Sequence, residues 1–105
     1  MNSFYHSTRG KTDNVTSKQA ILRGIAPDGG LYVADWIGEE KLDLAQVCNQ
    51  TFQENARLVL GALLPDYTEA EIAQCVGAAY GEQWDTPLCC PVSALGDDWL
   101  LELYH

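Results

Sequence analysis

The strongest local signal in this chain is a run of ten residues near its N-terminus, Gly24-Ile25-Ala26-Pro27-Asp28-Gly29-Gly30-Leu31-Tyr32-Val33. Proline presets a φ suited to a turn, and the paired glycines accept the positive φ that many turns require. The apolar residues after the turn are typical of a short strand. The run therefore predicts a tight structural turn over Pro27, Asp28, Gly29 and Gly30 that leads directly into a strand.

Three capping boxes divide much of the remaining chain into helices. In this motif a Ser or Thr hydroxyl and a Glu or Gln side chain three residues later satisfy the free N–H groups at a helix start. The first box predicts a short helix to about Arg23 with Ala20 and Ile21 facing inward. The second helix should end at Pro65, which cannot donate an N–H, and the third at Gly81. The boxes are Thr16-Ser17-Lys18-Gln19, Thr51-Phe52-Gln53-Glu54 and Thr68-Glu69-Ala70-Glu71.

Short strands are expected on both sides of this helical region. Residues 4–7, 31–33 and 99–104 have strand-like patterns, and a turn at Gly96-Asp97-Asp98 precedes the last of them. Residues 42–48 predict one further short helix. The chain is therefore expected to be a single α+β domain over residues 1–105, with three to four helices and a small antiparallel or mixed sheet.

The charge balance excludes two classes of partner. Fifteen acidic residues face six basic ones, so the net charge is −9. A chain this acidic is a poor ligand for nucleic acid or for an anionic membrane surface. No apolar run approaches the roughly 20 residues that span a bilayer, and the N-terminus lacks the pattern of a signal peptide. The only approach to a basic cluster lies around the first helix, at Arg9, Lys11, Lys18 and Arg23.

Residue types that carry catalysis show no familiar pattern. The sequence contains no nucleotide-binding loop, zinc-protease motif or serine-hydrolase elbow. His6 and His105 have no evident metal-ligand partners, and no metal site is expected. The four cysteines have no framework-like spacing, which favours reduced, inert thiols in a cytoplasmic protein. They are Cys48, Cys75, Cys89 and Cys90.

One polar cluster allows two interpretations. Ser7, Thr8, Arg9 and Gly10 combine two hydroxyls, a guanidinium and a glycine at the end of a predicted strand. Such a group can bind a phosphate or carboxylate. Alternatively, the arginine holds the first turn of the chain together by hydrogen bonds to carbonyl oxygens. The three tryptophans are equally open between core and interface; they are Trp36, Trp84 and Trp99.

Several of these pieces, in this order and spacing, resemble the N-terminal region of threonine synthase. The most specific is Gly24-Ile25-Ala26-Pro27-Asp28-Gly29-Gly30-Leu31-Tyr32, and the resemblance covers nearly the whole chain. The final Glu102-Leu103-Tyr104-His105 resembles the start of the motif that carries the family's cofactor lysine. The other matching pieces are Tyr5-His6-Ser7-Thr8-Arg9-Gly10, Ala20-Ile21 and Ala79-Tyr80.

The resemblance implies a pyridoxal-phosphate lyase of the tryptophan-synthase β-subunit fold type. Such an enzyme converts O-phospho-L-homoserine and water to L-threonine and phosphate, using a lysine Schiff base. That lysine would lie beyond His105, so the chain is expected to be truncated before it, with neither catalytic nor cofactor-binding residues of its own. The fragment is expected to hold no cofactor and to be inactive alone.

The resemblance also implies partners. The chain should pack on the C-terminal pyridoxal-phosphate domains of the same polypeptide, with Ser7, Thr8, Arg9 and Gly10 as candidates for the substrate entrance. Its docking surface should be apolar, and residues 99–104 offer a strand edge, so the isolated chain could self-associate. Two alternatives stay open: a threonine-synthase-like phospho-lyase with a different phosphorylated substrate, and a stand-alone interaction domain.

Overall fold

The computed structural model describes residues 4–84 and 86–103, and Tyr104 and His105 of the predicted last strand and motif lie outside them. Four helices and two small antiparallel sheets make up the fold, which confirms the expected α+β class. The strands are β1 (Tyr5–Ser7), β2 (Tyr32–Ala34), β3 (Val92–Leu95) and β4 (Asp98–Leu101). The helices are α1 (Ser17–Arg23), α2 (Leu44–Cys48), α3 (Phe52–Leu63) and α4 (Glu69–Ala79).

All three predicted capping boxes are present. At the starts of α1, α3 and α4 the threonine side chain accepts from the backbone N–H three residues later, and the Gln or Glu side chain accepts from the threonine N–H. Pro65 follows the last residue of α3 closely, as expected. Helix α4 ends slightly before the predicted glycine, at a cap formed by Tyr80.

The sheets depart from the predicted pattern in one respect. Strand β1 pairs with β2, with His6 opposite Val33. Among the described residues β4 pairs only with β3, a strand that the sequence analysis did not predict. Gly96, at a φ of +63°, is the first residue of the two-residue turn between β3 and β4. Glycine is favoured at that position because a side chain there would be strained. One small sheet was expected, and two separate antiparallel pairs are found.

Hydrogen bonds to the C-terminal end of α3 hold the β1–β2 sheet against the α3–α4 pair. The Tyr5 hydroxyl donates to the carbonyl of Leu63, and the Trp36 indole N–H donates to the carbonyl of Ala62 at 3.0 Å. Both carbonyls belong to the last turn of α3, where no intrahelical partner exists. The Tyr5 and Trp36 rings meet edge to face, with centroids 5.4 Å apart.

The loop after α3 binds the first turn of α1. The Asp66 carboxylate accepts from the backbone N–H groups of Ser17 and Lys18, each at 3.0 Å, and from the Ser17 hydroxyl. These N–H groups are the first in α1, where a negative charge is favoured. Burial, together with the negative charge of Asp66, raises the pKa of Tyr5.

The buried core is built largely from small side chains. Ala20, Ala26 and Ala34 are buried, with Trp36 as the one large aromatic side chain among the buried residues that the structure describes. Ile21 was expected to face inward and is exposed, so that expectation was wrong; α1 is short enough that Ala20 and Ser17 suffice to bury its inner face. Within residues 4–84 and 86–103, no helix is long and apolar enough to cross a membrane.

Candidate functional site

The Asp28 turn and the end of β1 form one hydrogen-bonded unit. Gly29 N–H donates to the Ala26 carbonyl at 2.8 Å, which closes the turn predicted over Pro27 and Asp28. Gly29 has a φ of +82°, a conformation that L side chains rarely adopt. Next to the turn, the Thr8 N–H donates to the Leu31 carbonyl at 2.8 Å, so the residues after β1 run beside those before β2.

Asp28 is the centre of this unit. Its carboxylate accepts from the Ser7 hydroxyl at 2.6 Å, from Gly30 N–H at 2.9 Å and from Lys11 N–H at 3.1 Å. The hydrogen bond from Ser7, together with those from the two backbone N–H groups and the nearby Arg9 charge, lowers the pKa of Asp28 below its ordinary value of 3.8. One carboxylate thereby joins the segment of residues 7–11 to the turn of residues 28–30.

The four candidate entrance residues occupy different positions. Ser7 is buried, with 2% of its surface exposed, and its hydroxyl is engaged by Asp28. Thr8, Arg9 and Gly10 are exposed. The Thr8 hydroxyl accepts from Leu31 N–H at 3.0 Å, and Arg9 Nη1 donates to the Asp28 carbonyl at 2.8 Å.

Arg9 therefore holds the turn and still faces solvent. The guanidinium lies directly over Gly29, where an added Cβ would come within 2.6 Å of Nη1. Only one of its five N–H donors is needed for the bond to the Asp28 carbonyl. The two interpretations of this cluster are compatible in the structure, because the same arginine can brace the turn and present the remaining donors to an anion.

Acid titration tests the role of Asp28. Because its pKa is lower in the folded chain than in the unfolded one, its contribution to stability is present above the unfolded pKa and is lost as pH falls through the folded pKa. We expect the melting temperature of the wild-type chain to fall more steeply between about pH 5 and pH 2 than that of Asp28→Asn.

The control for this prediction is Asp97→Asn, in the exposed β3–β4 turn. This change also removes one carboxylate but leaves the Asp28 hydrogen bonds in place, so the melting temperature should fall with pH as steeply as that of the wild type. Glu71, the capping residue of α4, also has a lowered pKa, through the Thr68 N–H and Lys18. Its contribution is common to all three proteins and cancels in the comparison. Parallel acid limbs for the wild type and Asp28→Asn, followed by circular dichroism, would contradict the assigned role.

The histidine and cysteine side chains do not form a metal site in the described part of the chain. His6 pairs with Asp35 beside β2. No group of three or more potential metal ligands occurs among residues 4–84 and 86–103. Burial, with a smaller effect of Cys90, raises the pKa of the Cys89 thiol and so disfavours the reactive thiolate.

The lysines have surroundings unlike those of an amine that condenses with an aldehyde. Such an amine must be neutral and held in an enclosed site. The Lys18 ammonium lies 3.4 Å from the Glu71 carboxylate and 4.9 Å from the centre of the Tyr67 ring, at the surface rather than in an enclosed site. Lys11 and Lys41 are exposed to solvent. These residues do not fit a Schiff-base site for pyridoxal phosphate.

The sequence analysis did not identify two residues that help to position the site. Asp66 caps α1, which begins 49 positions earlier, and the Trp36 indole N–H donates to a carbonyl in the last turn of α3. Asp66 follows a proline at a helix end, which is a turn signal without any indication of its distant partner. Both contacts depend on how the elements pack.

Comparison with known proteins identifies the family to which this chain belongs. A family model described as the threonine synthase N terminus matches residues 4–80, which include β1, the Asp28 turn and the α3–α4 pair. The chain belongs to the threonine synthase N-terminus family. A threonine synthase of Pseudomonas aeruginosa is 29% identical over 96% of this chain and 22% of its own length. Threonine synthase-like 1 of Homo sapiens is 30% identical over 83% of this chain and 12% of its own length.

A solved structure extends the match to the third dimension. The crystal structure of pyridoxal-phosphate-bound threonine synthase from Brucella melitensis superimposes with a TM-score of 0.81 at 27% identity. The superposition covers 99% of this chain and 23% of the Brucella chain. The superposition therefore extends over the β3–β4 hairpin, which lies beyond the end of the family model. The chain spans less than a quarter of the length of these relatives.

Proposed function

We propose that this chain is the N-terminal domain of a threonine synthase, whose complete form converts O-phospho-L-homoserine and water to L-threonine and phosphate. The observation that carries the proposal is the superposition of 99% of the chain on part of a pyridoxal-phosphate-bound threonine synthase. The family match over residues 4–80 supports it independently from sequence. The four cysteines, whose spacing is unlike that of a disulfide framework, and the acidic charge agree with a cytoplasmic location.

The chemistry of this enzyme belongs to the rest of its polypeptide. Pyridoxal phosphate, when bound there, serves as an electron sink for carbanions formed along the substrate. The paired Lys18 and the exposed Lys11 and Lys41 do not suit its attachment. The proposed contribution of this chain is positional: it packs on the cofactor-bearing domains, binds no cofactor alone and has no activity alone.

The β3–β4 hairpin is the proposed docking surface. Trp99, on β4, leaves 75% of its surface exposed, and all four residues of β4 are exposed. An apolar strand pair with this much exposed side chain is costly in water unless a partner covers it. Val92 and Leu101 pair across the hairpin two positions from the Ala94–Trp99 pair, so they lie on the same face as Trp99, and both are exposed.

The proposed substrate-entrance edge comprises Thr8, Arg9 and Gly10, with Ser7 beneath them. Ser7 supports this edge through Asp28, whereas Arg9 and Thr8 present donors to solvent. These donors suit the phosphate or carboxylate of an anionic substrate. Exposure of the Arg9 side chain beside the rigid Asp28 turn is the main support for assigning it this role.

The test compares this chain with the complete protein encoded by its gene. Each is mixed with pyridoxal phosphate, the aldimine absorbance is recorded, and phosphate release from O-phosphohomoserine is assayed. The proposal expects both signals from the complete protein and neither from the 105-residue chain. Signals from the short chain, or no aldimine band from either protein, would overturn it.

A second candidate is a threonine-synthase-like phospho-lyase that acts on another phosphorylated substrate. The 30% identity to threonine synthase-like 1 of Homo sapiens favours keeping it, since it is similar to the 29% identity to the bacterial enzyme. A complete protein that forms the aldimine band but ignores O-phosphohomoserine would select this candidate. A stand-alone interaction domain is the remaining alternative and predicts no band at all.

Self-association of the isolated chain is expected from the same hairpin. Without a partner, Trp99 and the β4 edge should pair with a second copy at concentrations near 1 mM, a weak interaction of about 4 kcal/mol. Sedimentation equilibrium should show dimer formation that Trp99→Glu abolishes, while the matched change Leu44→Glu, at an exposed apolar residue of α2, leaves it intact. A monodisperse wild-type monomer at that concentration would contradict the prediction.

A further inference from the structure

Arg9 is held at both its backbone and its guanidinium by the unit around Asp28. Its backbone N–H donates to the Ser7 hydroxyl oxygen at 3.2 Å, and its Nη1 donates to the Asp28 carbonyl at 2.8 Å. Ser7 in turn donates to the Asp28 carboxylate at 2.6 Å, so both acceptors belong to one hydrogen-bonded unit. An exposed arginine usually samples many rotamers and loses that freedom when it binds a ligand. Arg9 is exposed, yet these contacts order it before any ligand arrives.

Gly29 determines where the Arg9 guanidinium can lie. A Cβ at this position would come within 2.6 Å of Nη1, 3.3 Å of Cζ and 3.8 Å of Nη2. The guanidinium therefore covers Gly29, and even a methyl group would displace it from the Asp28 carbonyl. The positive φ of +82° is a separate requirement, which asparagine can also meet in turns. The contact with Arg9 restricts the position further, to glycine.

Gly38 is a matched position without the arginine. It has a φ of +88° in the turn after β2, and an added Cβ there would meet nothing within 4 Å. Alanine at Gly29 and alanine at Gly38 therefore impose similar backbone strain. Only the substitution at Gly29 displaces a side chain, so a difference between the two variants reports the position of Arg9.

We propose that Gly29 is a positioning residue for substrate binding, because the space that it leaves fixes the Arg9 guanidinium at the substrate entrance. Only one N–H donor of Arg9 is used on the Asp28 carbonyl, and a negatively charged group of the substrate can accept from the others. A donor that is already ordered binds without a further entropic cost. The inference rests on the proposed function, which places Thr8, Arg9 and Gly10 at the entrance.

The first test measures the steady-state kinetics of the complete protein with O-phosphohomoserine. We expect Gly29→Ala to raise KM about threefold and Arg9→Gln about fivefold, with kcat changed less than about twofold, since a contact made equally before and during the reaction affects binding alone. Gly38→Ala should leave KM at its wild-type value. An unchanged KM in Gly29→Ala, or an equal increase in Gly38→Ala, would overturn the inference.

The double variant Arg9→Gln/Gly29→Ala separates positioning from a general loss of structure. If Gly29 acts through Arg9, adding Gly29→Ala to Arg9→Gln changes KM no further, and the double variant keeps the increase of about fivefold. If Gly29→Ala merely damages the fold, the two increases multiply to about fifteenfold. Multiplication of the two effects would count against a positioning role.

A second test uses the isolated 105-residue chain and requires no activity. Relaxation of the Arg9 Nε nitrogen in ¹⁵N-labelled protein reports the motion of the side chain, and the exposed Arg57 of α3 serves as the reference for a mobile arginine. We expect Arg9 to be ordered in the wild type and in Gly38→Ala, and as mobile as Arg57 in Gly29→Ala. Equal mobility of Arg9 in all three proteins would contradict the proposed positioning.

The two tests distinguish failure of the inference from failure of the proposed function. A complete protein that releases no phosphate from O-phosphohomoserine overturns the proposed function, and the substrate role of Gly29 with it, even where Arg9 is ordered in the isolated chain. A complete protein that releases phosphate with the same KM in the wild type and in Gly29→Ala leaves the proposed function in place and overturns the inference alone.

Discussion

Replacing Trp36 with alanine is expected to destabilise the chain by about 3–5 kcal/mol, the usual range for removing a buried aromatic side chain. Trp36 is 6% exposed, its ring meets Tyr5 edge to face, and its indole N–H satisfies the Ala62 carbonyl at the end of α3. The substitution removes all three contributions at the junction between the β1–β2 sheet and the α3–α4 pair. Urea unfolding followed by far-UV circular dichroism measures the loss.

Two controls separate these contributions. Trp36→Phe keeps an aromatic ring but loses the hydrogen bond to Ala62, and should cost about 1–2 kcal/mol. Trp99→Ala removes the same side chain from an exposed position and should change the stability of the isolated monomer by less than about 0.5 kcal/mol. Similar losses for Trp36→Ala and Trp99→Ala would contradict the assignment of Trp36 to the core and Trp99 to the surface.

Gly30→Ala is expected to be the next most damaging change, although it adds only one methyl group. The new Cβ would lie 2.2 Å from the Ser7 hydroxyl oxygen, 3.0 Å from the Thr8 hydroxyl oxygen and 3.1 Å from the Arg9 backbone nitrogen. Relief requires that the end of β1 move away from the turn, which breaks the hydrogen bonds made to Asp28. We expect a loss of about 2–3 kcal/mol, typical of overpacking at a buried position.

The matched control is Gly77→Ala in α4, where an added Cβ meets nothing within 4 Å. Alanine in an open helical position should stabilise the chain by about 0.5–1 kcal/mol, because glycine is the poorer helix former. The two substitutions are chemically identical and should shift the melting temperature in opposite directions. A stabilised Gly30→Ala protein would show that the close approach of β1 to the turn is not maintained in solution.

The Gly30 contact explains part of the pattern that was visible in the sequence. The two adjacent glycines of the turn serve different purposes. Gly29 adopts a positive φ and leaves space for the Arg9 guanidinium, whereas Gly30 allows the end of β1 to pass against the backbone. Turn chemistry alone predicts the first requirement. The second arises from residues more than 20 positions away, so the turn pattern indicates a glycine at this position but does not identify the residues that contact it.

The candidate site was predictable to a similar extent. The residue types of Ser7, Thr8 and Arg9 indicated anion binding or carbonyl bracing, and the structure shows Arg9 bracing the Asp28 carbonyl while remaining exposed. It was not possible to foresee that Ser7 would be buried against Asp28, because a strand pattern of three residues does not report which end is covered.

The sequence by itself determined the helix starts, the Asp28 turn and the α+β class. The helix starts and the turn rest on hydrogen bonds between residues three or fewer positions apart and on the φ preferences of proline and glycine. Each can therefore be predicted from a short segment of sequence. Only the tertiary structure decided which tryptophan is buried, which carboxylate caps α1 and which cations remain unpaired. Those outcomes depend on orphan groups at helix ends and on surfaces that meet across long separations in the chain, and a local pattern contains no information about the partner that satisfies them.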